Sequence, residues 1–184
     1  MAEPPDFAAG RELVSRAYEH AERAHCGPDS TDDTTIEHPV AVARLLDEAG
    51  FGDEVVATAL LHDVVEGSTQ GIDRIRDGFG DEVAGYVEAL TEDDTIVDYT
   101  ARKAEHRKRV LEAGAVPASI YAADKLARVR AYTESGEDPG EERLDHYWDT
   151  LQLFTARRPE LPFLSEIAVE LPALERALDE AAEV

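Results

Sequence analysis

The stretch DEVVATALLHDVVEG, residues 53–67, carries the clearest structural pattern in the chain. Asp53 is a residue type that caps helices. The helix predicted for residues 54–66 is apolar nearly all round, which is typical of a helix in the middle of a bundle. Gly67 is suited to end it, because glycine fills a helix C-cap well. The stretch therefore predicts a central, buried helix.

Charged residues interrupt this apolar run at His62 and Asp63. A charged carboxylate in a buried helix costs on the order of several kcal/mol unless it is paired or bound to a metal. One interpretation is a capped or salt-bridged pair near the helix end. The other is a functional site, because Glu66 follows His62 by one turn on the same face, and a carboxylate there can position or deprotonate water. These residues alone leave both interpretations open.

The rest of the chain is also predicted to be helical, because strand-like alternation is absent. No internal repeat or linker divides the sequence, so we expect an all-α fold, a compact single-domain helical bundle over residues 1–184. The further predicted helices cover approximately residues 6–25, 39–49, a short segment ending near 77–80, 81–91, 99–114, 117–136, 141–158 and 171–184.

Composition supports an ordinary globular protein. The chain has 184 residues, of which 43% are hydrophobic and 32% charged. Its apolar runs are far shorter than the roughly 20 residues of a membrane span, and its N-terminus lacks a signal-peptide pattern, so a cytoplasmic location is expected. Cys26 is the only cysteine, which excludes an internal disulfide and a cysteine-based zinc site. Any metal site must use His, Asp and Glu.

The net charge of the chain is −23. Such a charge repels polyanions, so we do not expect a nucleic-acid polymer as partner. The short apolar runs likewise do not predict a membrane as partner. Any anionic substrate would need a local basic pocket. Composition leaves the oligomeric state open, with a homodimer as one alternative.

Two further residues extend the ionisable group. The motif IEHP, residues 36–39, places His38 where a loop meets an apolar helix, and Asp124 lies within an apolar-flanked helix. Together with His62 and Asp63 they form a set of two His and two Asp drawn from three helices. This mixed set suits Mn²⁺, Fe²⁺ or Zn²⁺ better than Ca²⁺.

The order His…His-Asp…Asp, with its flanking segments, resembles the HD superfamily of metal-dependent phosphohydrolases. Within it the chain is similar to the hydrolase domain of the RelA/SpoT type, whose small stand-alone metazoan form is similar in size. The segments that carry the resemblance are AHCG (24–27), EHPVAVARLL (37–46), ATALLHDVVE (57–66), IRDGFGDEVAGYVEALT (75–91), ARK (101–103) and AADKL (122–126).

The resemblance implies a single Mn²⁺, with Fe²⁺, Zn²⁺ or Mg²⁺ as other candidates. His38, His62, Asp63 and Asp124 match the ligand positions, and Glu66 matches the glutamate that acts on the attacking water. Asp63 and Glu66 are thus the catalytic candidates. The implied reaction converts guanosine tetraphosphate to GDP and pyrophosphate.

Five residues are predicted to bind substrate. Lys103, Arg143 and Tyr147 match nucleotide-contacting positions of the family, whereas Lys125 directly follows Asp124 and Arg128 follows it by four residues. Lys and Arg would bind phosphate, whereas Tyr would stack or form a hydrogen bond. For the three matching positions the alternative is an ordinary amphipathic helix face.

The remaining histidines and aromatic residues are expected to be structural. His20, His106 and His146 are predicted to be solvated, and His25 to line a pocket or cap a helix. Trp148 and Phe154 are predicted to be core residues.

Three departures from the family leave the substrate open. Gly67 stands where the family has a second acid, Arg128 stands where an Asn is usual, and CGPDSTDDTTIEHP (26–39) replaces a basic loop. An acidic loop would repel a tetraphosphate. The alternatives are therefore a phosphohydrolase acting on another nucleotide or phosphoester, and a non-catalytic module that binds metal or nucleotide.

Overall fold

The computed structural model describes residues 4–26, 35–66 and 71–182. These residues form eight α-helices and no strand, which confirms the all-α prediction. A short 3₁₀ turn at Asp6–Ala8 precedes the first of them. The helices are α1 (Glu12–Cys26), α2 (Glu37–Glu48), α3 (Asp53–Leu61), α4 (Ile72–Leu90), α5 (Tyr99–Ala113), α6 (Ala115–Ser135), α7 (Glu141–Arg157) and α8 (Leu164–Ala182).

The chain divides into two units, Met1–Asp93 and Asp94–Val184. In the first unit α3 packs against α1, α2 and α4. Its residues from Val55 to Leu61 are all buried, as the apolar pattern predicts. None of the helices in the described ranges is both long and apolar enough to cross a membrane.

The start of α3 differs from the prediction at Asp53. Gly52 occupies the N-cap position, and Asp53 is the first helical residue. The Asp53 carboxylate instead accepts a hydrogen bond from Arg11 at 2.9 Å, and Arg11 also pairs with Asp47. Asp53 therefore joins the helices of this unit through a charge pair rather than capping its own helix.

The end of α3 also differs from the prediction. The helix stops at Leu61 rather than continuing to Glu66. His62 Nδ1 contacts the carbonyl oxygen of Ala59 at 2.8 Å, and the N–H of Val64 donates to the carbonyl of Leu61, three residues back, at 3.0 Å. The imidazole thus binds a carbonyl that the α-helix would offer to residue 63, and the chain tightens into turns.

A glycine divides α4 into two segments. Gly80 has a φ of +88°, outside the helical range. Residues with a side chain rarely adopt this conformation, so glycine makes the kink possible. The prediction of a short helix followed by a second one at this point therefore describes the backbone correctly.

In the second unit α6 packs against α5 and α8, and α7 packs against the same two helices. Most of α6 is buried, and Phe154 on α7 is a core residue, as predicted. The Nε and Nη2 atoms of Arg130 on α6 donate to the Glu170 carboxylate on α8 at 2.9 and 2.7 Å. This paired hydrogen bond fixes the relative position of the two helices.

Leu60 allows a direct test of the core in the first unit. Its side chain is fully buried, at 0% exposure. We expect Leu60→Ala to lower the free energy of unfolding by about 2–5 kcal/mol, because the change removes buried methyl groups and leaves a cavity. Urea denaturation followed by circular dichroism measures this loss. The exposed control Val97→Ala should stay within about 0.5 kcal/mol of wild type, and a loss below about 1 kcal/mol in Leu60→Ala would contradict the packing described.

Candidate metal and nucleotide site

Two histidines of the first unit lie next to each other. His38 is in the first turn of α2, and His62 directly follows α3. Their ring centroids are 5.7 Å apart, with the planes inclined at 61°. His62 is buried, with 5% of its surface exposed, whereas His38 is half-buried. The structure therefore brings together two of the residues predicted as metal ligands.

The hydrogen bond of His62 defines which of its nitrogens can bind a cation. The carbonyl of Ala59 can only accept, so the Nδ1 atom that contacts it at 2.8 Å carries the proton. In the neutral ring Nε2 then holds the lone pair. This pattern, in which one ring nitrogen donates to a backbone carbonyl, is how proteins orient metal-binding imidazoles.

Asp63 completes this arrangement in the first unit. Its Oδ1 lies 3.0 Å from His62 Nε2. In a neutral imidazole, Nε2 would be a hydrogen-bond acceptor, and it would face the carboxylate of Asp63, which is also an acceptor. A proton or a divalent cation between Nε2 and the carboxylate would remove this repulsion. Imidazole nitrogen and carboxylate oxygen together suit Mn²⁺, Fe²⁺ or Zn²⁺. The donor set around His62 therefore fits a divalent metal ion.

Glu66 is held at the end of the same segment. The backbone N–H of Glu92 donates to its Oε1 at 2.5 Å. Although the residue as a whole is exposed, desolvation of its carboxyl group raises the pKa. The hydrogen bond from Glu92 opposes this shift, and the negative charge of Asp63 adds to it. Glu66 thus has one anchored oxygen and a carboxyl group with an increased affinity for protons.

The second unit contains Asp124, on α6, with 6% of its surface exposed. Lys125 Nζ lies 2.5 Å from one carboxylate oxygen, and Arg128 Nε lies 3.6 Å from the other. The charge of this buried carboxylate is therefore balanced by two cations of its own helix. The burial of Asp124 can therefore be explained without a metal ion. The sequence alone did not reveal this balance of charge.

Lys125 stays charged although it is buried. Burial by itself lowers the pKa of its ammonium group, but the charge of Asp124 and the neighbouring tyrosines raises it by more, so the pKa is above its usual value. The ammonium also lies 4.2 Å from the ring centroid of Tyr121, a cation–π contact.

The other predicted substrate residues lie on α5 and α7 of this unit. Lys103 Nζ lies 5.3 Å from the ring centroid of Tyr99, and Arg143 donates to the hydroxyl of Tyr132. Burial raises the pKa of Tyr147, and the charges of Lys125 and Arg128 partly oppose that rise. Tyr147 is therefore a neutral phenol that can donate a hydrogen bond.

Two histidines of this unit contradict the prediction that they are solvated. His106 and His146 are each 4% exposed. His146 Nδ1 accepts a hydrogen bond from Arg107 Nη1 at 2.7 Å, and the ring of His106 packs edge-on against Tyr121 with centroids 5.1 Å apart. Trp148, predicted as core, is half-buried, and its indole N–H donates to Glu175 at 2.7 Å.

Sequence reasoning also missed Arg107 and Tyr121, although a signal was present. Arg107 follows Lys103 by four residues on α5, and Tyr121 precedes Lys125 by four residues on α6. Residues at this spacing share a helix face, so both belong to the faces that carry predicted substrate residues.

The question of substrate depends partly on Gly67 and on the acidic stretch 27–34. Both lie outside the described residues.

Comparison with known proteins identifies the family. Residues 17–159 match the family model described as HD domain. The chain therefore belongs to the HD domain family. The predicted resemblance to this family is confirmed.

Individual relatives add detail. A probable GTP pyrophosphokinase of Mycobacterium leprae is 32% identical over 126 residues, which cover 66% of this chain and 16% of the relative. The human guanosine-3′,5′-bis(diphosphate) 3′-pyrophosphohydrolase MESH1 is 32% identical over 157 residues, which cover 81% of this chain and 79% of that protein. The chain thus spans about a sixth of the first relative but most of the second.

A solved structure supports the fold. It is that of a metazoan orthologue of SpoT that hydrolyses ppGpp (guanosine tetraphosphate), and it aligns with a TM-score of 0.69 over 97% of this chain and 99% of the other. The two sequences are 21% identical, so this likeness bears on the fold alone.

Proposed function

We propose that this chain is a metal-dependent phosphohydrolase that converts guanosine tetraphosphate to GDP and pyrophosphate. The observation that carries the proposal is the arrangement at His62, where the Nδ1 proton is bound by Ala59 and Nε2 faces Asp63 at 3.0 Å. The human relative, whose name states this activity, is aligned over most of its length. The proposal treats the whole chain as one HD-type domain.

The metal is proposed to be Mn²⁺, held by His38, His62, Asp63 and Asp124. A bound divalent ion would polarise the phosphoryl group and increase the acidity of water. Two imidazoles and two carboxylates are compatible with Mn²⁺, and also with Fe²⁺ or Zn²⁺.

Glu66 is proposed to accept the proton of the attacking water. Its Oε1 is anchored by the N–H of Glu92, which leaves Oε2 for the water. The water oxygen bonds to the phosphorus attached to the 3′-oxygen of the ribose, while the bond between that phosphorus and the 3′-oxygen breaks. The 3′-oxygen leaves and takes up a proton, which gives GDP and pyrophosphate.

The substrate phosphates are proposed to contact the basic residues of the second unit. Lys103, Lys125, Arg128 and Arg143 supply positive charge in a chain whose net charge is −23, and Tyr147 supplies a neutral phenolic donor. These residues lie on three helices, α5, α6 and α7. Such a local group of cations would attract an anionic nucleotide that the rest of the chain repels.

Further parts of the proposal follow from the charge and composition. A small nucleotide is the proposed partner, whereas a nucleic-acid polymer would be repelled by the acidic surface. A cytoplasmic location without membrane association agrees with the short apolar runs of the sequence. The proposal does not specify the oligomeric state, and a homodimer is one alternative.

Release of pyrophosphate tests the activity. With Mn²⁺ and guanosine tetraphosphate we expect turnover that stops when the metal is removed by EDTA and returns when Mn²⁺ is added. The same assay with GTP, GDP and p-nitrophenyl phosphate tests the substrate, with phosphate release followed as well. Turnover of one of these with the tetraphosphate inert would replace the proposed substrate. Metal binding without any turnover would favour the non-catalytic alternative.

A further inference from the structure

A polar network in the second unit links three helices. Arg107 on α5 donates to His146 on α7 at 2.7 Å, and a second nitrogen of the same guanidinium donates to Asp149 at 2.8 Å. His146 Nε2 lies 3.4 Å from the hydroxyl of Tyr121 on α6, a long hydrogen bond. Arg107, Tyr121 and His146 are buried. We call Arg107, Tyr121, His146 and Asp149 the Arg-His-Tyr network.

The bonds of this network define the state of His146. A guanidinium can only donate, so Nδ1 of His146 is an unprotonated acceptor, and in the neutral ring Nε2 carries the proton towards Tyr121. Burial, together with the charges of Lys125, Lys103 and Arg107, lowers the pKa of His146 to about 2. The imidazole is thus a neutral connector with one acceptor and one donor.

Three members of the network, Arg107, Tyr121 and His146, each lie close to a proposed substrate residue. Arg107 is four residues from Lys103 on α5, and the ring of Tyr121 lies 4.2 Å from the ammonium of Lys125. His146 immediately precedes Tyr147 and follows Arg143 by three residues. The ring of Tyr99, which contacts Lys103, also lies 6.4 Å from the ring of His146.

The geometry points to Arg107, Tyr121 and His146 as positioning residues, which hold the substrate-binding faces of α5, α6 and α7 in register. This role rests on the proposed function, because it concerns the same phosphate-binding groups. A buried network whose members are all bonded fixes one arrangement of side chains. A displacement of binding groups by as little as about 1 Å can cost on the order of 10²-fold. None of the three residues is assigned contact with the substrate.

The test compares His146→Ala with a matched control on the same helix. Trp148→Phe also removes a hydrogen bond between helices, from the indole to Glu175 on α8, at 2.7 Å, but lies outside the network. We expect His146→Ala to raise KM for guanosine tetraphosphate on the order of 10- to 100-fold, with kcat changed by less than about threefold. Trp148→Phe should leave KM within about twofold of wild type.

A conservative variant separates positioning from folding. In His146→Asn the amide oxygen can take the place of Nδ1 and accept from Arg107, so the guanidinium keeps a buried partner. We expect its KM to rise by less than in the alanine variant, roughly three- to tenfold. A KM in His146→Asn as high as in His146→Ala, or equal KM values in His146→Ala and Trp148→Phe, overturns the positioning role.

Binding measured without turnover distinguishes this inference from the proposed function. Calorimetric titration with guanosine tetraphosphate gives its Kd for wild type and the three variants. Binding that weakens in the His146 variants but not in Trp148→Phe, with no hydrolysis by wild type, supports the network and overturns the hydrolase. Hydrolysis with equal Kd and KM values in all variants supports the hydrolase and overturns the positioning role of the network. A wild-type chain that neither binds nor hydrolyses the nucleotide overturns both.

Discussion

Replacement of His62 by alanine is expected to weaken Mn²⁺ binding by more than about 100-fold and to abolish hydrolysis. Even the loss of a residue that only orients a ligand lowers metal affinity by roughly 10- to 100-fold, and His62 is proposed as a ligand itself. Its Nδ1 is already committed to the carbonyl of Ala59 at 2.8 Å. This bond orients the ring, so that Nε2 is the nitrogen available to the metal.

Calorimetric titration with Mn²⁺ and the pyrophosphate-release assay measure this effect. His20→Ala is the matched control, because His20 is a half-buried histidine of the same unit that packs edge-on against Phe79, with ring centroids 5.3 Å apart. It should retain both metal binding and turnover. Circular dichroism verifies that His62→Ala is folded. A folded His62→Ala variant that binds Mn²⁺ as tightly as wild type would eliminate His62 from the ligand set.

Hydrophobic periodicity was sufficient to predict the central position of α3 but not its end. Seven consecutive buried residues in this helix match the apolar pattern. The helix stops five residues early, and at this point the His62 side chain contacts the backbone carbonyl of Ala59. Such a bond between side chain and backbone depends on local geometry that residue spacing does not encode. The kink of α4 at Gly80, by contrast, was predictable from the sequence, because a glycine between two helical patterns was a sufficient signal for it.

The site was predictable in its residue types and less so in its supporting contacts. The order of His and Asp residues indicated His62 and Asp63, and the structure places the carboxylate within 3.0 Å of the imidazole. His146 was predicted to be solvated, whereas the structure buries it, with 4% of its surface exposed. Its burial depends on Arg107, which is 39 residues away in sequence, and a pairing over such a distance is visible only in three dimensions.

Glu66→Gln is expected to lower kcat by about 10²- to 10⁴-fold, the range typical of a lost general base. Glutamine has nearly the same shape, and its amide oxygen can still accept from the N–H of Glu92, as Oε1 of the glutamate does. The substitution therefore preserves the anchor and removes only the ability to take up a proton. Because Glu66 is not proposed as a metal ligand, the Kd for Mn²⁺ should stay within about threefold of wild type.

Steady-state kinetics and Mn²⁺ titration of the same preparation measure both quantities. Glu82→Gln is the matched control, since Glu82 is an exposed glutamate of the same unit whose carboxylate accepts from Tyr86 at 3.1 Å. It should have wild-type kinetics. A kcat within threefold of wild type in Glu66→Gln would assign proton transfer to another group. A loss of Mn²⁺ binding together with activity would instead make Glu66 part of the metal site, because a carboxylate that acts only on the proton leaves metal affinity unchanged.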